Sequence, residues 1–134
     1  MAVAALITWL VTAVGGFVLL GMWMAKGGHR TGRDSASRFR PALVFGHLLL
    51  AVAGLVLWIA YLVNDSAGLA WTAVVLLAVV AALGFTMFAI WVSQVRDGRA
   101  EVTAERHFPV AVVFGHGALA ATTLVLALLA AVDA

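Results

Sequence analysis

The chain consists mainly of four long apolar runs separated by short polar connections. The runs cover about residues 3–25, 41–63, 69–92 and 108–132. Apolar stretches of roughly 18 residues or more can cross a bilayer as helices, because a helix rises about 1.5 Å per residue. Pro41 and Pro109 begin the second and fourth runs, in first-turn positions where a missing N–H costs nothing. The pattern predicts four transmembrane helices.

The composition agrees with a membrane protein. Of the 134 residues, 65% are hydrophobic and 10% are charged, and the mean hydropathy is +1.12, whereas soluble domains carry about 25% charged residues. The absence of cysteine excludes disulfides, iron–sulfur clusters and thiolate metal sites. The first run lacks the basic segment of a secretory signal and is expected to be retained. The abundance of Ala, Val, Leu, Gly and Arg is typical of a high-GC bacterium, which predicts the bacterial cytoplasmic membrane.

The charges predict an orientation in that membrane. All eight lysine and arginine residues lie in the first and third connections. The positive-inside rule therefore places connections 26–40 and 95–107 in the cytoplasm and both termini outside. A net charge of +2 that is explained by topology gives no reason to expect nucleic acid as a partner. The tryptophans lie towards the ends of the runs, where we expect most of them to act as interfacial anchors; they are Trp9, Trp23, Trp58, Trp71 and Trp91.

The two halves of the chain share short motifs at nearly constant offsets. "VFGH" at 44–47 recurs at 113–116, and "LVL" at 55–57 recurs at 124–126, both offset by 69 residues. Two further matches are offset by 68 residues: Gly16-Phe17 with Gly84-Phe85, and Trp23 with Trp91. These collinear matches predict one domain, residues 1–134, with repeats at about 3–63 and 69–132. The predicted fold class is an all-α integral membrane four-helix bundle of two tandem hairpins, related by a pseudo-twofold axis along the membrane normal.

Each copy of the "VFGH" motif places a histidine inside an apolar run. His47 is six residues past Pro41 and His116 is seven past Pro109, so the rings should lie about 9 and 10 Å into the cytoplasmic leaflet. Small residues follow on the same helix faces and permit close helix packing; they are Ala51, Gly54, Ala120 and Thr123. We therefore expect the histidine stripes to be contact stripes between helices rather than lipid-facing.

A pair of imidazoles at one depth suggests a specific chemistry. An ionisable side chain within the membrane is a functional candidate, because an unsatisfied polar group is costly there. Two facing imidazoles favour axial ligation of one b-type haem by His47 and His116, with iron as the metal. The other candidate residues are glycines that leave room for the macrocycle, phenylalanines that pack on its edges, and basic residues that pair with its propionates. These are Gly46, Gly115, Gly117, Phe45, Phe114, Arg38, Arg40, Arg106 and His107.

Two ligands on two helices resemble the four-helix transmembrane b-type cytochromes. This resemblance implies haem b, one-electron transfer, and quinone or a respiratory-complex subunit as partner. No histidine lies in the outer half of any run, so a second haem near the opposite face is not expected. The segments "FRPALVFGHLLLAVAGLVLWIAYLV" and "HFPVAVVFGHGALAATTLVLALLA" also resemble uncharacterised small four-helix membrane proteins of actinobacteria, which implies no activity.

Other functions stay open, and whether the protein is an enzyme is undecided. A transporter or channel typically uses buried acidic residues, but all six Asp and Glu residues lie outside the apolar runs. A non-catalytic scaffold, an assembly subunit or a homo-oligomer would not need the histidine pair. A structural zinc site would need a homodimer to supply four ligands. His29 also lies outside the runs and is expected to be solvated or at headgroup level.

Overall fold

Four helices, each long and apolar enough to cross a membrane, account for most of the residues that the structure describes. The structure is a computed structural model, and it describes residues 1–34, 36–97 and 103–134. The helices are α1 (Ala2–Ala25), α2 (Pro41–Asn64), α3 (Ala67–Asp97) and α4 (Val110–Val132), with short 3₁₀ helices at Gly32–Asp34 and Ala104–His107. The prediction of an all-helical protein with four helices long and apolar enough to span a membrane is confirmed. Helices of this length and apolar composition fit a lipid bilayer as their surroundings.

Local sequence determines where these helices begin and end. Pro41 is the first residue of α2, as predicted, whereas Pro109 is the N-cap of α4, with extended backbone at φ −62° and ψ 125°. After α2, Asp65 adopts a left-handed conformation with φ 52°, and its N–H donates to the carbonyl of Tyr61. Helix α3 continues to Asp97, beyond the predicted end at 92. The apolar run ends at 92, but a helix does not have to end with it. Its backbone N–H and carbonyl groups can go on pairing within the helix whether the side chains are apolar or polar.

The helices form two close pairs. Helix α2 packs most closely on α3, and α1 packs most closely on α4. The pairs are joined by α3 with α4 and, more lightly, by α1 with α2. Among the described residues, neither α1 and α3 nor α2 and α4 approach one another closely. The two helices that carry the histidines therefore occupy opposite corners, and their side chains can meet only across the interior.

The small residues that follow the histidines are contact residues, but not with each other. A Cβ built on Gly54 of α2 would lie 3.1 Å from the ring of Trp9 on α1. The hydroxyl of Thr123 on α4 donates to Oγ1 of Thr8 on α1 at 2.9 Å. Gly54 and Thr123 thus pack on α1. They do not join α2 to α4, because these two helices lie diagonally opposite.

The prediction that most tryptophans anchor the protein at the interface is wrong. Trp9, Trp23, Trp58 and Trp91 are at most 4% exposed, and Trp71, at 44%, is the exposed one of the five. Trp9 and Trp58 pack together in the half of the bundle that holds the chain termini, with ring centroids 6.4 Å apart. Trp23 and Trp91 lie at the opposite end with Phe39 and Ala104; this end, which includes the described residues 36–40 and 103–109, is called the basic end below. An indole suits both the interior of a bundle and the membrane interface, since it is apolar with one polar atom.

Candidate functional site

His47 on α2 and His116 on α4 meet across the interior of the bundle. The centroids of their rings are 6.4 Å apart, and the ring planes are inclined at 59°. Both side chains are half-buried. The structure therefore brings together the two histidines that the repeated motif singled out.

Each imidazole is oriented by a backbone carbonyl on the neighbouring helix of its own close pair. The Nδ1–H of His47 donates to the carbonyl oxygen of Val80 on α3 at 3.0 Å, and that of His116 donates to Thr12 on α1 at 2.9 Å. A carbonyl only accepts, so Nδ1 carries the proton and the neutral ring has its lone pair on Nε2. Within the described residues, no hydrogen bond is made to either Nε2. Metal-binding histidines typically donate their second N–H in this way.

Two glycines provide the space that the rings occupy. A Cβ built on Gly16 of α1 would lie 3.1 Å from Cε1 of His116, and one on Gly84 of α3 would lie 3.1 Å from Cε1 of His47. Gly16 is four residues after Thr12, and Gly84 is four after Val80. Since residues four apart share a helix face, each ring rests on a glycine beside the carbonyl that it contacts.

The glycines singled out by the sequence analysis have different surroundings. A Cβ built on Gly46, Gly115 or Gly117 would meet nothing within 4 Å. They do not shape the space around the imidazoles, although Gly117 belongs to the wall of the cavity between the helix pairs. Their role in admitting a macrocycle stays a prediction.

A cavity of about 700 Å³ lies between the two close pairs and includes both histidines in its wall. Its lining is mainly apolar, and its volume falls within the roughly 300–1,000 Å³ of ligand sites. Phe17 and Phe85 belong to its wall and are 55% and 71% exposed on the outer surface of the bundle. The cavity therefore reaches the surface between neighbouring helices. At the basic end its wall is formed by Trp23, Phe39, Trp91 and Phe108.

The remaining predicted residues divide between the cavity and the surface. Phe114 lines the cavity, with its ring centroid 5.5 Å from that of Phe88. Phe45 packs edge-on against Trp23 at 6.2 Å and is not part of the cavity wall. The predicted propionate partners lie outside that wall: Arg38, Arg40 and His107 are exposed, and Arg106 is half-buried in the 3₁₀ helix.

A buried carboxylate closes the basic end, and the sequence analysis missed it. Glu105 is 0% exposed. Its Oε1 accepts hydrogen bonds from the backbone N–H of Arg38 at 2.8 Å and from Nε2 of Gln94 at 2.9 Å, and its Oε2 accepts one from the Ser37 hydroxyl at 2.8 Å. The Ser37 hydroxyl also accepts from Nε1 of Trp23 at 2.9 Å. The sequence contains one signal for Glu105: it lies 68 residues after Ser37, and the same offset separates Trp23 from Trp91.

The residues present fit a haem better than a bare metal ion. If Nε2 of His47 and Nε2 of His116 held one iron, two metal–nitrogen bonds of about 2 Å and the radii of the two rings would give a centroid distance close to the observed 6.4 Å. Within the described residues, no group of three or more His, Asp or Glu side chains is placed to hold a metal ion.

Comparisons with known proteins add no assignment. No protein-family model matches the chain, and neither the curated proteins nor the solved structures contain a match.

Proposed function

We propose that this protein binds one haem b through His47 and His116 and takes part in one-electron transfer. The observation that carries the proposal is the facing pair of imidazoles, 6.4 Å apart, each with Nδ1–H bound to a backbone carbonyl and its lone pair on Nε2. A haem bound there supplies an iron centre that accepts and returns one electron. Two neutral nitrogen ligands and an apolar surround are what such a group needs from a protein.

The chain's own residues prepare the site. The carbonyls of Thr12 and Val80 fix the orientation of the rings, and Gly16 and Gly84 let the rings approach the helices that carry those carbonyls. The apolar walls exclude water from the space between the helix pairs. Since these contacts are made by rigid helices, little ordering of the chain accompanies binding.

The contacts of the two rings also support an internal repeat. The carbonyl partners Thr12 and Val80 are 68 residues apart, as are Gly16 and Gly84, and the histidines are 69 apart. We include in the proposal that two tandem hairpins form the bundle about a pseudo-twofold axis along the membrane normal. The basic connections then face the cytoplasm of a bacterium, and the termini lie outside. The haem lies closer to the cytoplasmic face than to the outer face.

Exchange of the electron requires a partner that reaches the site through the membrane. A lipid-soluble quinone or a subunit of a respiratory complex meets this requirement. The exposed Phe17 and Phe85 on the cavity wall support it, because they mark places where the cavity meets lipid between helices. The half of the bundle with the termini is filled by Trp9 and Trp58, which supports one haem rather than two.

Absorption spectroscopy tests this proposal. The protein is purified in detergent after expression with added haem, and spectra are taken oxidised and then reduced with dithionite. We expect one haem per chain, with the sharp α and Soret bands of a six-coordinate haem, and we expect His47→Ala and His116→Ala each to lose them. His29→Ala is the matched control and keeps them, because His29 is exposed and outside the cavity wall.

Two results would overturn the proposal. One is a featureless visible spectrum of the wild-type protein after haem-replete expression. The other is a six-coordinate spectrum that survives in both histidine variants. If the doubly substituted protein also kept its fold and its partners, a scaffold or assembly role would replace electron transfer.

A further inference from the structure

Two tryptophans at the basic end occupy equivalent places but differ in their hydrogen bonding. Trp23 is seven residues after Gly16, and Trp91 is seven after Gly84, so each lies two turns beyond its glycine on the same helix face. The indole N–H of Trp23 donates to the hydroxyl of Ser37 at 2.9 Å. The Nε1 of Trp91 is buried and has no hydrogen-bond partner among the described residues.

No described side chain around Trp91 accepts a hydrogen bond from its indole. Its indole is 4% exposed and lies against the rings of Phe88 and Phe114, with centroids at 6.0 and 6.2 Å. By the 68-residue offset that relates Trp23 to Trp91, the equivalent of Ser37 is Glu105. The described hydrogen bonds of its carboxylate are with Ser37, Arg38 and Gln94. Buried N–H groups in folded proteins nearly always have a partner, so one without a partner among the protein's own groups indicates a place for a bound acceptor.

The position of Trp91 indicates which group this is. Its indole lines the same cavity as His47 and His116, about 10 Å along α3 from the glycine that contacts the His47 ring. Haem carries two carboxylates at one edge, several ångströms from its iron. The described arginines of this end, Arg38, Arg40 and Arg106, favour an orientation in which that edge faces the basic end.

We propose that the indole N–H of Trp91 donates a hydrogen bond to a propionate carboxylate of the haem. This inference rests on the proposed function. It places a propionate donor inside the cavity, whereas the basic residues named from the sequence lie outside its wall. An N–H bond to an ionised carboxylate in an apolar site is among the stronger hydrogen bonds in proteins.

The test compares haem with its dimethyl ester, in which both propionates are blocked and uncharged. Trp91→Phe keeps the aromatic packing against Phe88 and Phe114 but removes the donor. We expect this variant to bind haem about tenfold more weakly than the wild type, with the six-coordinate spectrum retained, and to bind the ester with nearly wild-type affinity. Trp23→Phe is the matched control: its donor is engaged by Ser37, so any loss should be equal for haem and ester.

A second measurement does not depend on the variant. In the reduced, diamagnetic protein labelled with ¹⁵N-tryptophan, the indole N–H resonance of Trp91 should move downfield when haem is bound, and less when the ester is bound. An unmoved resonance, or equal losses of haem and ester affinity in Trp91→Phe, would overturn the role of Trp91 alone. A hydrogen-bonded resonance already present without haem would do the same. A wild-type protein that binds no haem would overturn the proposed function, and this inference with it.

Discussion

The glycines beneath the imidazoles permit a sharp prediction, because one methyl group should disturb the site. In Gly16→Ala and Gly84→Ala, the new Cβ would lie 3.1 Å from Cε1 of the facing histidine, against an ordinary carbon–carbon contact of about 3.5–4.0 Å. The ring must therefore move by a few tenths of an ångström. A shift in that range away from the carbonyls would lengthen the hydrogen bonds, now 2.9 Å for His116 and 3.0 Å for His47, to the usual limit of about 3.2 Å.

The energetic consequence differs between folding and haem binding. Overpacking costs about 1–3 kcal/mol, while alanine gains about 1 kcal/mol over glycine in a helix interior. The free energy of unfolding should therefore fall by only about 0–2 kcal/mol. Haem binding should suffer more clearly, since the displaced ring is a ligand, and we expect about a tenfold loss of affinity in each variant and a larger loss in the double variant.

The assay is haem titration of the purified variants, followed by the Soret band, with thermal unfolding measured in parallel. Gly21→Ala on α1 is the control, because a Cβ there would meet nothing within 4 Å, and it should bind haem like the wild type while being equally or more stable. Equal haem affinity in Gly16→Ala, Gly84→Ala and Gly21→Ala would refute the idea that these glycines position the ligands.

Two other predictions concern the basic end and the orientation. Glu105→Ala leaves the hydrogen-bond donors of Ser37, Arg38 and Gln94 without their acceptor. We expect the free energy of unfolding, measured by thermal unfolding in detergent, to fall by about 3 kcal/mol. A loss below about 1 kcal/mol would contradict this role of Glu105. The chain has no cysteine, so single cysteines report topology cleanly: an impermeant maleimide should label Ala67→Cys but not Arg33→Cys in intact cells. The reverse pattern would contradict the proposed orientation.

The spans and the histidine pair could be predicted from the sequence because both follow from local patterns. Four apolar runs long enough to span a membrane are evident in the sequence itself. The repeated "VFGH" motif identified His47 and His116, and their distances of six and seven residues from Pro41 and Pro109 indicated a similar depth. Neither step required knowledge of which helices are neighbours.

The surroundings of the histidines could not be predicted in the same way, because they belong to other helices. Gly46 and Gly115 precede the histidines along the chain, but consecutive residues on a helix point about 100° apart, and the glycines that contact the rings are Gly16 and Gly84. Identifying them requires the pairing of α1 with α4 and of α2 with α3.

Burial was misjudged where a residue type suits two environments. Trp23 and Trp91 were expected at the interface, yet both lie on the helix faces that carry Gly16 and Gly84 and point into the bundle. Glu105 was taken as one of several acidic residues in the connections. Its burial depends on donors from Ser37 and Arg38, nearly 70 residues away in the chain, and local composition carries no trace of such a contact.

The central claim is that two imidazoles of this chain bind one iron. The most direct measurement is electron–nuclear double resonance on the oxidised, haem-loaded protein with ¹⁵N-labelled histidine. We predict a low-spin ferric centre coupled to two axial imidazole nitrogens, with one of them lost in His116→Ala. A high-spin centre, or a single coupled histidine nitrogen in the wild-type protein, would contradict the claim.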